Sequence, residues 1–290
     1  MSGLRSTVWK LRYKHLRDDL FYDRRRASRV RLTPNLFLVG AQKCGTSSLH
    51  HYLDAHPDIF MSKPLKEPGY YVPWDIIQAY YKRKNLNFQN RSDLLTKGML
   101  VGYRDETYIG DSSTFYTNGT YNIDVKTFKN DKIDIKRIKI VYLIRNPFNR
   151  IISHYLHACR NNNFKGDLNS FVLNNSEAID ISCYGKQIET YYEYLEPAQI
   201  AIESFERLVT QPQNVLNLLY QFLNVKPVVS SSFRSYNAAP KTQNQIREDA
   251  RFDQNSWELI HSAIREDAAR LDRFGCQMHH DWDLEKFRPA

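Results

Sequence analysis

Residues 35–48 read NLFLVGAQKCGTSS, and this stretch decides the fold. Residues 35–39 are a short continuous apolar run, which is typical of a buried strand. The run ends at Gly40, and Gly45 precedes a segment, 46–56, that predicts a helix stopped by Pro57. Strand, glycine-bounded loop and helix in this order indicate a phosphate cradle, because free backbone N–H groups and the helix dipole both favour an anion.

The same alternation of elements continues along the chain. Further strands are predicted at 138–144 and near 199–202, and further helices at 148–160, 186–195, 212–223 and 254–274. Strands that alternate with helices indicate βαβ units, so we predict an α/β fold with a central, mostly parallel sheet flanked by helices. Residues 82–106 are polar and less regular, and we interpret them as an insertion or a lid-like region.

The length and the composition predict one large domain. The 290 residues are 42% hydrophobic and 13% aromatic, which is enough for a sizeable core. We predict a basic N-terminal lead-in at 1–33, packed on a single domain at 34–290. The net charge of +9 suits an anionic partner, but it does not choose among a nucleotide, a nucleic acid, a sulfated sugar and a membrane surface.

Cysteine and histidine placement argues against a metal site and a disulfide scaffold. The four cysteines are far apart and form no C-x-x-C pair: Cys44, Cys159, Cys183 and Cys276. Neither the His154 and His157 pair nor the adjacent His279 and His280 has convincing zinc-ligand spacing, so we predict no metal. The cysteine pattern fits a reducing compartment. With no apolar run near the ~20 residues of a membrane span, we expect a cytoplasmic protein without a membrane partner.

The loop departs from the NTPase P-loop, G-x-x-x-x-G-K-[ST]. Gly40 and Gly45 bracket four residues as required, but Thr46 stands where the lysine belongs. The loop's lysine is Lys43, inside the loop. The second strand ends at Arg145, where nucleoside-triphosphate enzymes usually have an Asp that helps to hold Mg²⁺. Both departures favour a nucleotide whose phosphates are met by Lys43 and Arg145 instead of a metal.

Two motifs together resemble the family of sulfotransferases that depend on 3′-phosphoadenosine 5′-phosphosulfate (PAPS). The first is G-x-x-K-x-G-T-[ST], starting at Gly40, and the second is R-N-P-x-x-R-x-x-S-x-Y, starting at Arg145. Lys66 and Glu67 begin a segment similar to the K-E-x-x-[FY]-[FY] segment of the heparan-sulfate-type and bacterial branch. The resemblance covers roughly residues 35–225 and implies the P-loop-like sulfotransferase fold.

The resemblance implies nucleotide-binding roles for individual residues. Lys43 and the loop backbone are expected to hold the 5′-phosphosulfate, and Arg145 with Ser153 the 3′-phosphate. Tyr184 resembles a position beside the adenine, and Lys241 is a candidate late basic contact to the 3′-phosphate. The expected PAPS-binding residues are therefore Gln42, Lys43, Cys44, Gly45, Thr46, Ser47, Ser48, Arg145, Ser153, Tyr184 and Lys241.

Sulfuryl transfer resembles phosphoryl transfer and needs a group that neutralises the leaving phosphate and a base that removes the acceptor's proton. Lys43 is the candidate for the first role. By resemblance Glu67 is the first candidate base, and Asp111 is the second, in a segment similar to a strand that lines the acceptor cleft. Gly69 stands where many relatives have His, so we expect the acceptor side to be remodelled.

The acceptor remains open. The aromatic residues that follow Glu67 fit either a pocket for a compact molecule or the core. We expect a hydroxyl or amine of a small specialised metabolite, such as an alkaloid or polyketide, with a carbohydrate or glycolipid as the alternative. The rival hypotheses are a P-loop kinase and a non-enzymatic, basic nucleic-acid-binding protein, for which no recognised motif is present. We expect no nucleic-acid partner, and homo-oligomerisation stays open.

Overall fold

Five parallel strands form one sheet in the computed structural model, which describes residues 32–118, 134–161, 164–236 and 249–289. The order across the sheet is β2-β3-β1-β4-β5, and every neighbouring pair is parallel. The strands are β1 Leu36–Gly40, β2 Ile59–Met61, β3 Tyr108–Asp111, β4 Lys139–Ile144 and β5 Ile200–Ser204. The predicted parallel sheet is confirmed, and the predicted lead-in falls almost entirely outside the described residues.

Helices connect the strands and cover the sheet. They are α1 Thr46–Asp54, α2 Trp74–Arg83, α3 Arg91–Asp93, α4 Pro147–Asn161, α5 Leu168–Leu173, α6 Ser176–Asp180, α7 Tyr184–Tyr192, α8 Phe205–Thr210, α9 Pro212–Phe222 and α10 Gln254–Arg273. None of these helices is long and apolar enough to cross a lipid bilayer.

The central strands read as continuous apolar runs because both of their faces are covered. All five residues of β1 are buried, and so are the last five of β4. The two strands pair in parallel, with Phe37 opposite Ile140 and Leu38 opposite Val141. After β1 the chain forms β2 and β3 on one side of β1 and then β4 on the other side. The carboxyl ends of β1 and β4 therefore flank a switch in strand order, where open α/β sheets bind ligands.

The segment predicted to be irregular, 82–106, is partly helical. A π-helix spans Leu94–Met99, directly after α3. Leu94 and Met99 are both buried in the main core. Their five-residue spacing matches the i→i+5 repeat of a π-helix and neither the α-helical nor the strand period, so the sequence gives no regular signal there.

Helices α4 and α10 pack together beside the sheet. Phe148 and Ile152 of α4 share a buried apolar cluster with Trp257, Ile260 and Ile264 of α10. Helix α10 also holds the start of α7, since both oxygens of the Asp267 carboxylate accept hydrogen bonds from backbone N–H groups there, each at 2.7 Å. This packing fixes α4, the helix that contains most of the second motif, against α10.

Candidate active site

A cavity of about 750 Å³ lies at the carboxyl ends of β1 and β4. Its size falls within the usual range for ligand sites, roughly 300–1,000 Å³. Nine of the residues predicted from the sequence to bind the nucleotide or act in catalysis line it: Gln42, Lys43, Gly45, Thr46, Ser47, Ser48, Glu67, Arg145 and Ser153. The fold therefore brings both sequence motifs to one cleft.

The loop after β1 needs its glycines for conformation and for space. Gly40 and Gly45 have φ of 153° and 87°, in the region that favours glycine. A Cβ on Gly40 would lie 2.1 Å from Thr117 Oγ1, and one on Gly45 would lie 2.8 Å from Phe205 Cδ2. Lys43 also has a positive φ, 71°. The loop therefore packs so closely against Thr117 and Phe205 that neither glycine can carry a side chain without displacing them.

Helix α1 begins directly after this loop, with Gly45 as N-cap and without a side-chain capping bond. The first N–H groups of a helix have no partner within the helix, and the helix dipole places partial positive charge there. Thr46, Ser47 and Ser48 line the cavity at this point. The first turn of α1 is therefore suited to an anion.

Arg145 leaves the end of β4 and is 7% exposed. Its Nη1 donates to the carbonyl oxygen of Lys43 at 3.0 Å, and its guanidinium lies 4.3 Å above the centre of the Phe205 ring. The same ring packs against Gly45. The phenylalanine, which the sequence does not single out, therefore joins the loop to the arginine of the second motif.

Helix α4 contributes a stripe of side chains to the cavity wall. Ser153, Leu156, His157 and Arg160 line the cavity at helical spacing, one below the other. Ser153 is predicted from the motif, whereas His157 and Arg160 are not recognised from the sequence. The signal was available, because positions four and seven residues after a helical site residue share its face.

His157 is held neutral near pH 7. Burial lowers the pKa of His157 to about 4, and the nearby Lys43 and Arg160 act in the same direction. Its Nδ1 lies 3.0 Å from Asn161 Nδ2 and 3.3 Å from Arg160 Nη2. The ring therefore adds a polar group without charge to this wall.

Glu67 lies beside the start of α1, next to the loop that follows β1. The Nζ of Lys66 lies 3.1 Å from Glu67 Oε1 and donates to Thr46 Oγ1 at 3.3 Å. The Thr114 hydroxyl donates to the same Glu67 oxygen at 3.4 Å. Lys66 therefore bridges the carboxylate and the first residue of α1, and Glu67, with 28% of its side chain exposed, is accessible to a ligand.

The backbone beside Glu67 is shaped by Gly69. This residue has φ of 58°, and a Cβ on it would lie 2.7 Å from Ile77 Cδ1. A histidine, which the resemblance places here in many relatives, would meet the Ile77 side chain of α2. Gly69 therefore packs closely against α2, and a remodelled acceptor side stays a prediction.

Asp111 lies behind this segment and is fully buried. Its Oδ2 accepts from the Tyr70 N–H at 3.0 Å and the Tyr116 hydroxyl at 2.6 Å, and its Oδ1 accepts from the Ser113 hydroxyl. Burial raises the pKa of Asp111 to about 6, although these hydrogen bonds act in the opposite direction. Asp111 does not line the cavity and ties the segment after Glu67 to the end of β3.

Two predicted nucleotide-binding residues lie beneath the loop instead of in the cavity. Tyr184 is fully buried, and its hydroxyl donates to the Arg145 carbonyl oxygen at 2.8 Å and lies 3.8 Å from Cys44 Sγ. Burial raises the pKa of Cys44 to about 11, so the thiol stays protonated. Both side chains support the loop from below. Lys241, the last predicted contact, lies outside the described residues.

The wall opposite the loop is aromatic and basic, and comes from α2 and the residue after it. Tyr80, Tyr81 and Lys84 line it. Lys84 Nζ donates to the Tyr80 hydroxyl and lies 4.2 Å from the centre of the Tyr80 ring. Tyr81 is anchored by a 2.6 Å bond from its hydroxyl to the Pro68 carbonyl oxygen. This wall of the cavity therefore combines an aromatic and a cationic side chain.

Comparison with protein families gives one domain match. Residues 33–267 match the family described as the sulfotransferase domain. Heparan sulfate glucosamine 3-O-sulfotransferase 5 of Mus musculus is 23% identical over 221 residues, which are 72% of this chain and 58% of that protein. Heparan sulfate glucosamine 3-O-sulfotransferase 3B1 of Mus musculus is 24% identical over 215 residues, 70% of this chain and 49% of that protein. The match spans only about half to three fifths of these relatives.

A solved structure shares the fold. The crystal structure of a sulfotransferase from Alicyclobacillus acidocaldarius superimposes with a TM-score of 0.62 and 23% sequence identity. The superposition covers 83% of this chain and 95% of that chain. The predicted P-loop-like sulfotransferase fold is therefore confirmed.

Proposed function

The chain belongs to the sulfotransferase domain family, and on that premise we propose that it transfers a sulfuryl group from PAPS to an acceptor hydroxyl or amine, releasing 3′-phosphoadenosine 5′-phosphate (PAP). The observation that carries this proposal is the charge of the cavity. Within the described ranges, Glu67 is the one carboxylate in its wall. The cationic side chains in the wall are Lys43, Lys66, Lys84, Arg145 and Arg160. A polyanionic nucleotide supplies the opposite charge without a metal.

The residues present fit the nucleotide at both of its charged ends. Lys43 and the first turn of α1 are assigned to the 5′-phosphosulfate, and Arg145 with Ser153 to the 3′-phosphate. The hydrogen bond from the Arg145 guanidinium to the Lys43 backbone carbonyl fixes the position of the arginine relative to the loop. Arg145 stays charged at any physiological pH, so it can meet a phosphate dianion without a proton exchange.

PAPS, when bound, supplies the sulfuryl group and the phosphate leaving group. Glu67 takes the proton of the acceptor hydroxyl or amine as that atom bonds to sulfur and the bond from sulfur to the bridging oxygen breaks. Lys43 and the N-terminus of α1 stabilise the charge that grows on the leaving phosphate, an effect of about 10²–10³ in rate. Lys66 holds Glu67 beside Thr46, so the proposed base lies next to the N-terminus of α1.

Glu67 is the better candidate base than Asp111 on the grounds of access and partners. Glu67 is partly exposed in the cavity wall, whereas both oxygens of Asp111 already accept hydrogen bonds in a buried position outside that wall. A base must reach the proton it removes. We therefore propose Glu67 as the base, and Asp111 as a residue that fixes the backbone after it.

The acceptor side supports a compact organic molecule. Once the nucleotide occupies its part of about 750 Å³, the space beside Tyr80 suits a small ring system that stacks on this half-buried aromatic side chain. We propose a specialised metabolite, such as an alkaloid or polyketide, as the acceptor. Lys84 and Arg160, both exposed, suit a carbohydrate with anionic groups as the alternative.

The test is transfer of ³⁵S from labelled PAPS to metabolite extracts and, separately, to sulfated oligosaccharides, with mass spectrometry of the products. We expect label in a small product, its loss in Lys43→Ala, and its retention in Lys63→Ala. Lys63 is the matched control, because it is 57% exposed and pairs with Asp54 at 3.4 Å. Label only in oligosaccharides would select the alternative acceptor. Nucleic-acid binding that survives Lys43→Ala, with no transfer, would refute the enzyme.

A further inference from the structure

Two histidines and a carboxylate meet at the end of α10, away from the cavity. Asp272 lies in the last turn of α10, and His279 and His280 lie in a 3₁₀ turn at Met278–Asp281. The chain reverses at Gly275, whose φ is 70°, and the Cys276 N–H donates to the Leu271 carbonyl oxygen at 3.0 Å. This Schellman-type helix end reverses the chain, so the 3₁₀ turn lies beside the last turn of α10.

The ligand atoms of these three residues have the spacing of a metal site. The Nε2 atoms of His279 and His280 lie 3.5 Å and 3.1 Å from Asp272 Oδ1. Zinc bonds of 2.0–2.1 Å in tetrahedral geometry place neighbouring ligand atoms about 3.3–3.4 Å apart. All three ligand groups lie within 4.8 Å of one another. The distances from Asp272 to each histidine are thus close to those of a tetrahedral site. Rotation of the exposed His280 ring would bring its Nε2 to the same distance from His279 Nε2.

A hydrogen bond prepares one of the histidines for coordination. His279 Nδ1 lies 2.9 Å from the Cys276 carbonyl oxygen. A carbonyl oxygen only accepts, so Nδ1 carries the proton and Nε2 presents its lone pair towards Asp272. Metal-ligating histidines are commonly oriented by such a bond from their other nitrogen. The His279 side chain is only 7% exposed, which holds the ring in this position.

Against the expectation from histidine spacing, we propose that Asp272, His279 and His280 bind a zinc ion, with a water molecule as the fourth ligand. The site lies outside the cavity and takes no part in sulfuryl transfer. Its role is to fasten the segment after α10. That segment includes Trp282, whose ring centre lies 5.8 Å from that of Tyr184, and Tyr184 supports the nucleotide loop through Arg145.

The test is calorimetric titration of the full chain, without a histidine tag, with Zn²⁺. We expect one equivalent to bind, a higher thermal midpoint with the ion, and at least about tenfold weaker affinity in His280→Ala and Asp272→Asn. His280 is 58% exposed, so its substitution leaves the fold intact. Bound Co²⁺ should give the intense visible bands of a tetrahedral site.

His261→Ala is the matched control. His261 Nε2 lies 3.5 Å from Glu285 Oε1, which makes a histidine–carboxylate pair without a second histidine among the described residues. This variant should bind Zn²⁺ like the unsubstituted chain. The proposal is overturned if the chain takes up no stoichiometric Zn²⁺, or if His280→Ala and His261→Ala bind it equally well. In that case Asp272 and the two histidines form only an ion-pair cluster.

Discussion

At the scale of single residues, one substitution distinguishes the proposed role of Glu67 as a base from a role in nucleotide binding. Glu67→Gln keeps the side chain's size and its oxygen acceptor for Lys66 and Thr114 but removes the ability to take a proton. We expect a loss of about 10²–10⁴ in kcat with PAP affinity nearly unchanged, because the proposed nucleotide contacts are those of Lys43 and Arg145. Turnover with saturating PAPS and calorimetry with PAP measure the two quantities.

Asp111→Asn is the comparison for that experiment. Because Asp111 lies behind the cavity wall, its substitution should lower stability more than the chemical step. Full activity of Glu67→Gln together with an inactive but folded Asp111→Asn protein would contradict the assignment and transfer the base role to Asp111.

The buried carboxyl of Asp111 also predicts a dependence of stability on pH. Its pKa in the folded state is about 6 because burial disfavours the charged form, against about 3.9 in an unfolded chain. Between these values the folded protein keeps a proton that the unfolded chain has lost. The free energy of unfolding should therefore fall as the pH rises from about 4 to about 6, by at most about 3 kcal/mol from this group.

Urea unfolding across that range measures this effect. In Asp111→Asn the decline between pH 4 and 6 should be smaller than in the unsubstituted protein. Asp75→Asn, which removes an exposed carboxylate at the start of α2, should leave it unchanged. Equal slopes for the unsubstituted protein and Asp111→Asn would show that Asp111 does not hold the proton.

At the scale of elements, the loop before α1 depends on both the conformation and the packing of Gly45. Any other residue there would have a strained backbone, because φ is 87°, and its Cβ would lie 2.8 Å from Phe205 Cδ2. We expect Gly45→Ala to reduce the free energy of unfolding by about 1–3 kcal/mol and to weaken PAP binding. Thermal or urea unfolding with PAP calorimetry provides the readouts.

Gly102→Ala separates the two causes. Gly102 has φ of 89°, almost the same as Gly45, but an added Cβ would have no atom within 4 Å. This variant should show the cost of the backbone strain alone and bind PAP normally. If the two alanine variants were equally destabilised and equally able to bind PAP, the contact between Phe205 and the loop would have no role.

Elements with a strong local signal are predictable from the sequence. The apolar runs of β1, β4 and β5 and the helices after the two motifs are placed within a few residues of their predicted bounds. β2 has only three residues, too few to show a period. The segment around Asp111, expected by resemblance to be a strand, is only partly extended, because the strand ends at Asp111 and a 3₁₀ turn begins at Thr114. Short strands take their conformation from neighbours in the sheet.

The site is predictable where the backbone motif dictates it and less so where packing does. Lys43, Glu67, Arg145 and Ser153 line the cavity as their motifs indicate. A motif does not predict whether a side chain is buried beneath the loop or exposed in the cavity. Tyr184 lies beneath the loop because α7 is packed under it, and this follows from the association of α7 with α10 through Asp267.

At the scale of the whole molecule, remote parts of the chain contribute side chains to one basic cleft. The sheet places the loop after β1 and the end of β4 side by side, and the basic residues of the cavity come from segments up to 117 positions apart, Lys43 to Arg160. Under the proposed function, this concentration of positive charge, with Glu67 as the one carboxylate in the described wall, meets the phosphate charge of the nucleotide.

The most direct test of this account is calorimetric titration of the protein with PAP in the presence of EDTA, beside ATP under the same conditions. The account predicts that PAP binds at one site without any divalent metal, more tightly than ATP, and that Arg145→Ala weakens its binding at least about tenfold. Absence of PAP binding, or binding that requires Mg²⁺ and favours ATP, would contradict it.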